Sequence, residues 1–294
     1  MIRPVQVPAK ARLRAGFVVW ALAALAGAAQ GATDVPPGTS SFTFIDSRGR
    51  ADRPMTVFSH RPARCGTAGR SDCPIQFVMH GNSREAQNYR DYWVQAANTH
   101  GFIVLAPEFT RQNWPGSRSY NQGDVAASDD RSRWSFSVVE HLFDEVRGTQ
   151  TQYRIFGHSA GAQFVHRLLA LLPDNRVERA VIANAGWYTL PEWRADRVQF
   201  NWPHSLHQSR TGETGARSLL TKPVVLMLGE NDVNPDDADL DQAPGSRAQG
   251  RNRLERGHHF LQQALTVGAS LGLTLPWRLV MVPDTGHSGR GMSE

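Results

Sequence analysis

Short apolar runs rich in β-branched and aromatic residues recur along the chain between turn-forming residues. Such runs are typical of β-strands. The later ones, such as IQFVM and VVLML, are apolar throughout instead of alternating, as parallel strands covered on both faces are. The pattern predicts eight strands, at residues 42–45, 55–59, 75–79, 102–106, 153–156, 180–183, 224–228 and 277–282.

Helical periodicity fills several of the gaps between these strands. In residues 160–172, apolar side chains recur at helical spacing until Pro173 ends the pattern. Because strands and helices alternate, the predicted fold class is α/β, with a mostly parallel eight-stranded sheet, helices on both faces and an antiparallel hairpin at its start. Helices are predicted at residues 85–100, 134–146, 160–172 and 251–271.

Two long stretches do not fit this alternation. Residues 107–133 form a polar connection, and loops of this length in a compact domain are usually binding loops or lids. Residues 186–219 are rich in Trp, Pro and His, and we expect them to form a cap over the sheet. The sequence has no internal repeat or interdomain linker, so residues 32–294 are predicted to form a single domain.

The N-terminus has the pattern of a secretory signal peptide. Four basic residues and no acidic residue precede an apolar stretch at 15–29, and Ala29 and Gly31 supply a small-residue cleavage pattern. The stretch is shorter than the roughly 20 residues that a membrane-spanning helix needs. The alternative to a signal peptide is an uncleaved N-terminal anchor. We therefore expect residues 1–31 to be a signal peptide, and the mature protein to be periplasmic or secreted, without stable membrane association.

The basic charge of the chain comes mostly from this segment. The formal net charge is +5, but residues after position 31 include 28 basic and 27 acidic ones, a net charge of +1. The remaining basic residues are scattered singly and form no stripe that could follow a phosphate backbone. No nucleic-acid partner is therefore expected.

Cys65 and Cys73 are the two cysteines of the chain and lie in a loop containing Gly, Ser and Pro. In an oxidising compartment such a pair predicts a short disulfide that holds a surface loop. Two free thiols are the alternative. A metal site is less favoured, because two cysteines without paired histidines nearby supply too few ligands. No metal and no organic cofactor is expected.

The strongest local motif is Gly157-His158-Ser159-Ala160-Gly161, which matches G-x-S-x-G. It follows a predicted strand and begins a predicted helix, the context in which the motif places a nucleophilic serine on a sharp turn. Ser159 is therefore the candidate nucleophile. The alternative is a serine in an ordinary turn between strand and helix.

A serine hydroxyl needs a general base and a carboxylate that orients the base. In this architecture both follow the nucleophile in the chain, the acid first and the histidine second, each after a strand. Asp232 follows the run VVLML and His287 follows the run WRLVMV. We assign Asp232 as the orienting acid and His287 as the base.

Other acidic and histidine residues are weaker candidates for these roles. The acidic run at 236–241 is more typical of a solvated loop than of a calcium site. The His158 side chain is expected to point away from the site. The remaining alternatives are Glu230, Asp236 and Asp237 for the acid, and the helical residues His258 and His259 for the base.

Backbone amides and aromatic side chains complete the predicted site. The oxyanion donors are expected to be the N–H groups of Asn82, in the loop after the third strand, and of Ala160, at the helix start. Four aromatic residues are candidates for contact with substrate, although packing into the core is the alternative for them: Trp187, Tyr188, Tyr120 and Trp114.

Together, His80-Gly81, GHSAG, GENDVNP and DTGHSG resemble the α/β-hydrolase superfamily over residues 40–290. Within it, the chain is similar to the group of serine esterases and poly(3-hydroxybutyrate) depolymerases, which includes feruloyl esterases. The resemblance implies a catalytic domain that hydrolyses small-molecule or polymer esters through an acyl-enzyme. Many extracellular depolymerases carry a substrate-binding domain after the catalytic one, and its lack here disfavours an insoluble polymer. A serine peptidase or amidase, or a non-catalytic binding protein on the same fold, are the alternatives.

Overall fold

The computed structural model describes residues 34–66 and 72–294, so the predicted signal peptide at 1–31 lies outside the described residues. Eight strands in these ranges form one sheet with the order β1-β2-β4-β3-β5-β6-β7-β8. β2 is antiparallel to β1 and to β4, and the other neighbours are parallel. The strands are β1 (Gly38–Phe44), β2 (Met55–Arg61), β3 (Ile75–Met79), β4 (Ile103–Pro107), β5 (Tyr153–His158), β6 (Val177–Ala183), β7 (Val224–Gly229) and β8 (Trp277–Val282).

The α/β class predicted from the alternation of strands and helices is confirmed, and the sheet agrees with the α/β-hydrolase fold that the resemblance implies. The predicted helix at 85–100 is divided at Trp93 into two helices, because the backbone N–H of Trp93 bonds to the Arg90 carbonyl in a tighter turn. Three further helices lie outside the helical segments predicted from the sequence. The helices are α1 (Ala86–Tyr92), α2 (Val94–His100), α3 (Gly116–Ser119), α4 (Ser135–Val146), α5 (Ala160–Leu171), α6 (Gly212–Thr221), α7 (Pro244–Arg247) and α8 (Arg253–Ser270).

Both faces of the sheet are covered by apolar clusters. Successive side chains of a strand point to opposite faces, so Phe77 of β3 belongs to one cluster and its neighbour Val78 to the other. In β5, Ile155 likewise belongs to the first cluster and Phe156 to the second. This explains why the central strands are apolar at every position. Because β3, β5, β7 and β8 run parallel, their carboxyl ends lie at one edge of the sheet, where ligands bind in open α/β folds.

The predicted disulfide between Cys65 and Cys73 is present and links the segment after β2 to the start of β3.

Residues 107–133 are not a detached loop: their aromatic side chains pack into the core beside β4. Among the described residues, no helix combines the length and apolar character that crossing a bilayer requires.

Candidate active site

The turn between β5 and α5 holds Ser159 in an uncommon backbone conformation. Its φ of 57° and ψ of −117° lie in a region that residues with a side chain rarely adopt. The Ser159 N–H donates to the Ala183 carbonyl at 2.9 Å, which fixes the turn against β6. A Cβ atom at Gly157 would collide with the Gly161 carbonyl, and one at Gly161 with the Met79 carbonyl. Both glycines of the motif are therefore needed for strand and helix to approach so closely.

A continuous chain of hydrogen bonds joins the ends of three strands at this edge. The Ser159 hydroxyl, after β5, donates to His287 Nε2 at 3.0 Å. His287 Nδ1 carries the proton and donates to Asp232 Oδ2 at 2.8 Å, because a carboxylate only accepts. Asp232, after β7, is buried, whereas the His287 side chain, after β8, is 21% exposed. The structure thus brings together the three side chains that the sequence order predicted for nucleophile, acid and base.

Asp232 lies in a buried network of charged groups at the start of α8. Arg253 is almost completely buried, and its Nη1 lies 3.4 Å from Asp232 Oδ1 and 2.8 Å from Asp237 Oδ2. The hydrogen bond from Arg253 lowers the pKa of Asp237. The Leu254 N–H donates to the Asp232 carbonyl at 3.3 Å. The start of α8 therefore holds both the backbone and the carboxylate of Asp232.

His158 lies against His287, which corrects the expectation that its side chain points away from the site. The two ring centroids are 4.6 Å apart, and His158 Nδ1 shares a 2.7 Å hydrogen bond with the Tyr89 hydroxyl of α1. Burial lowers the pKa of His158 well below its ordinary value, so the ring is neutral. The position follows from strand alternation, since His158 lies on the same face of β5 as Phe156, toward α1.

Buried His80 orients the loop after β3. Burial lowers its pKa to about 3, so the ring is neutral. His80 Nε2 accepts from the Phe109 N–H at 3.1 Å, so Nδ1 carries the proton and donates to the Gly81 carbonyl at 3.0 Å. The Arg84 N–H donates to the same carbonyl at 3.2 Å. The C=O and N–H of a trans peptide point in opposite directions, so the Asn82 N–H points away from these two donors.

Asn82 and Ala160 line the same cleft as Ser159. Ala160 is the first residue of α5, and its N–H has no acceptor within the helix. A Cβ atom at Gly81 would lie 3.6 Å from the Ser159 Cβ, so the loop passes close to the serine. Asn82 and Ala160 thus line the cleft that contains Ser159, and their role as oxyanion donors stays a prediction.

The cleft at Ser159 has a volume of about 130 Å³ and a mostly polar lining. Gln163 lies one turn after Ser159 on α5 and donates to the Trp187 carbonyl at 3.2 Å, which fixes the segment after β6. The charged side chains in the lining are both acidic, Asp239 and Asp241. The lining consists of Asn82, Ser117, Asn121, Ser159, Ala160, Gln163, Gly186, Trp187, Asp239 and Asp241.

Of the four aromatic residues expected to contact substrate, Trp187 lines the cleft and the other three belong to the core. Tyr188, Tyr120 and Trp114 are completely buried. Tyr188 stacks on Phe260 of α8, with ring centroids 4.4 Å apart. The Tyr120 hydroxyl donates to the His80 carbonyl at 2.7 Å. These contacts correct the expectation that the three side chains form a substrate wall, and favour the packing alternative.

Arg84 holds residues 107–133 in place. Its guanidinium donates to the carbonyls of Phe109, Trp114 and Gly116, and lies 4.3 Å from the centroid of the Tyr120 ring. Because these aromatic residues are buried, the segment presents polar side chains to the cleft, namely Ser117 and Asn121. The segment is thus one wall of the cleft.

The weaker candidates for acid and base lie elsewhere. Glu230 and Asp236 are exposed, and Asp237 pairs with Arg253. His258 is exposed on α8, and the neighbouring His259 lines a second cavity.

Several residues of the site were not predicted from the sequence. Gln163 was recognisable, because it lies four positions after Ser159 on the same helix face. Arg253 and Tyr89 were not recognisable, since they come from helices whose contacts with β7 and β5 depend on the complete fold. The same holds for the cleft residues Asn121, Asp239 and Asp241.

Comparisons with known proteins identify solved structures with a similar sequence and fold. No family model and no curated protein matches the chain. Among solved structures, the chain is 35% identical to poly(aspartic acid) hydrolase-1 from Sphingomonas sp. KT-1, over 88% of this chain and 97% of that one, with a TM-score of 0.79. It is 32% identical to LpqC, a poly(3-hydroxybutyrate) depolymerase from Bordetella parapertussis, over 87% and 86% of the two chains, with a TM-score of 0.78.

A more distant likeness extends to other hydrolases of the same fold. An S-formylglutathione hydrolase from Staphylococcus aureus is 13% identical over 87% of this chain and 93% of that one, with a TM-score of 0.51. At that identity the likeness concerns the fold alone. The two relatives above 30% identity decide the assignment, since each aligns with most of the described chain. The chain therefore belongs to the α/β-hydrolase superfamily, within its group of esterases and poly(3-hydroxybutyrate) depolymerase-like hydrolases.

Proposed function

We propose that this protein is a secreted or periplasmic serine hydrolase that cleaves carboxylic esters through an acyl-enzyme. The observation that carries the proposal is the chain of hydrogen bonds from the Ser159 hydroxyl through His287 to Asp232. The disulfide between Cys65 and Cys73 and the export-type N-terminus support the location. Residues 1–31 would be removed as a signal peptide, and residues 32–294 would be the catalytic domain.

In the first half of the reaction, Ser159 Oγ attacks the ester carbonyl and its proton passes to His287 Nε2. Negative charge develops on the carbonyl oxygen, and the amides of Asn82 and Ala160 stabilise it. The C–O bond to the alcohol then breaks, and His287 returns the proton to the departing oxygen. Asp232 accepts from Nδ1 throughout and stabilises the imidazolium that forms.

In the second half, a water molecule attacks the acyl-enzyme and gives its proton to His287. The bond between the acyl carbon and Ser159 Oγ breaks, and the serine regains its proton as the acid leaves. The neutral His158 ring supports this cycle, because a second positive charge 4.6 Å away would oppose formation of the His287 imidazolium.

The substrate class follows from the cleft and from the relatives. A polyester or an aryl ester is a candidate, because one relative is named a poly(3-hydroxybutyrate) depolymerase. The two carboxylates in the lining, Asp239 and Asp241, disfavour substrates with a negative charge near the scissile bond.

The test compares Ser159→Ala with Ser47→Ala, an exposed serine in the β1–β2 turn. Hydrolysis of p-nitrophenyl acetate is expected to fall by about 10⁴-fold or more in Ser159→Ala. The Ser47→Ala variant should retain the wild-type rate. Equal rates in Ser159→Ala and the wild type would refute the proposal.

Amide hydrolysis is a second candidate, because the 35% identical relative is named a poly(aspartic acid) hydrolase. The acidic lining of the cleft argues against that polyanion as substrate of this chain. Incubation with poly(aspartic acid) and with p-nitrophenyl acetate, side by side, distinguishes the two. We expect the ester to be cleaved and the polyanion to remain intact; the reverse result would establish the amidase.

A further inference from the structure

A second cavity of about 190 Å³ lies beside the cleft, and Ser159 is not part of its lining. Its wall comes from the segment after β6, from α7 and the residues that follow it, and from α8. Four of its lining side chains are apolar, namely Leu190, Val198, Phe200 and Ala248, and the volume exceeds the roughly 150 Å³ of an apolar cavity that binds benzene. Polar and charged side chains complete the lining, among them Glu192, Arg197, His204 and Gln249.

Two side chains in contact separate this cavity from the cleft. Trp187 lines the cleft, and His204 lines the second cavity. Their ring centroids are 4.5 Å apart. A Cβ atom at residue 245 would lie within 3 Å of the His204 ring, so this packing requires Gly245. The Trp187 and His204 rings are therefore in contact where the two spaces adjoin.

Trp187 is held firmly in this position. Its side chain is 5% exposed, and the buried Arg167 guanidinium lies 4.1 Å from the centroid of its ring. The next residue, Tyr188, is bound through its backbone N–H and carbonyl to the Gln249 side chain, at 2.8 Å each. Gln249 itself lines the second cavity. The backbone after β6 thus runs between the two spaces and carries Trp187 as their partition.

We propose that Trp187 is the specificity-determining residue that closes the second cavity to the substrate and so limits the length of its acyl chain. This inference rests on the proposed ester hydrolysis at Ser159. With Trp187 present, the acyl group is confined to the small polar cleft, which suits short chains. A smaller side chain at position 187 joins the two spaces and admits a longer apolar acyl chain toward Leu190, Val198 and Phe200.

The test measures kcat/KM for p-nitrophenyl esters from acetate to octanoate in the wild type, Trp187→Ala and Trp187→Leu. In Trp187→Ala, the preference for octanoate over acetate should rise by about fourfold for each methylene that becomes buried. Trp187→Leu keeps an apolar side chain against Arg167 and should show a smaller gain. Profiles parallel to the wild type in both folded variants would overturn the proposal.

A second-site change tests the route of the acyl chain. Ala248→Phe adds a ring to the lining of the second cavity. Combined with Trp187→Ala, it should return the chain-length profile to that of the wild type. If the gain for octanoate persists in the double variant, the chain does not enter the second cavity and the proposal is wrong.

Binding without turnover separates this inference from the proposed function. In Ser159→Ala protein, calorimetry should show tighter binding of octanamide after Trp187→Ala, by the same fourfold per buried methylene, and unchanged binding of acetamide. Equal octanamide affinity in both backgrounds would overturn the role of Trp187. Failure of the wild type to hydrolyse any ester would instead refute the proposed function, while the amide binding still decides the role of Trp187.

Discussion

The two ends of the chain of hydrogen bonds at the site are supported in different ways. At the carboxylate end, Asp232 lies against the buried guanidinium of Arg253, which also binds Asp237. At the serine end, His287 lies against the neutral ring of His158, which is bound by Tyr89. Apart from the hydrogen bond between Asp232 and His287 themselves, a charged group thus holds the acid, and a neutral ring lies against the base.

This difference has a physical reason. Asp232 keeps its negative charge throughout the proposed reaction, so a fixed cation on its far oxygen holds it in place. His287 alternates between a neutral and a cationic ring, and a permanent cation next to it would penalise the cationic state. Burial keeps His158 neutral and avoids that penalty. Each neighbour therefore suits the charge of the group that it contacts: a cation lies beside Asp232, which stays negative, and a neutral ring lies beside His287, which becomes positive during the reaction.

The largest expected effect comes from removing the charge at the acid end. Asp232→Asn should lower kcat by about 10⁴-fold, because the amide favours the wrong tautomer of His287. Steady-state hydrolysis of p-nitrophenyl acetate measures it, with the exposed Asp236→Asn as the control. A loss of less than tenfold in Asp232→Asn would show that another residue orients the histidine.

The next prediction tests whether Arg253 supports Asp232 specifically, and not merely as one more cation in the same region. Arg253→Met leaves two carboxylates without their buried partner, so the free energy of unfolding should fall by about 3 kcal/mol, and kcat by about tenfold. Arg251→Met, two residues earlier with a side chain that is 83% exposed, is the matched control. Urea unfolding and ester hydrolysis provide both readings. If the two variants behave alike, Arg253 does not support the acid.

A smaller effect is expected at the neutral end. Tyr89→Phe removes one hydrogen bond to His158, worth about 1 kcal/mol, so kcat should fall by about fivefold with KM unchanged. Tyr92→Phe, one turn later on the same helix, should leave both constants unchanged. An unaltered kcat in Tyr89→Phe would mean that packing alone positions His158.

The sequence predicted the sheet and the three reacting side chains better than their surroundings. The eight strands were recognisable because each contains apolar, β-branched or aromatic residues between turn-forming ones, and Ser159, Asp232 and His287 because each follows a strand in the expected order. The orientation of His158 was predicted incorrectly, since the turn motif alone does not indicate which face of β5 it occupies. Burial of Trp114 and Tyr120 depends on Arg84, a contact between distant segments that no local pattern contains.

The last prediction concerns the dependence of stability on pH. The pKa of His158 lies well below its ordinary value in the folded protein, so between these two pKa values the unfolded chain binds more protons. Stability therefore decreases as the pH falls below about 6.5, by at most about 1.4 kcal/mol per pH unit for this histidine. Urea unfolding at pH 7 and pH 5.5 should show a weaker pH dependence in His158→Gln.

The control for this pH effect is the exposed His258→Gln, which should keep the wild-type dependence. If His158→Gln loses stability with falling pH as steeply as the wild type, the ring is not held neutral by the fold. The contrast between the two ends of the site would then have to be abandoned.

The central claim is that Ser159 is an activated nucleophile. The most direct measurement is labelling of the purified protein with a fluorophosphonate, followed by mass spectrometry of the peptide that contains Ser159. We predict stoichiometric modification of Ser159 in the wild type and none at that position in His287→Ala, because the base is needed to remove the hydroxyl proton. An unmodified Ser159 in folded wild-type protein would contradict the account.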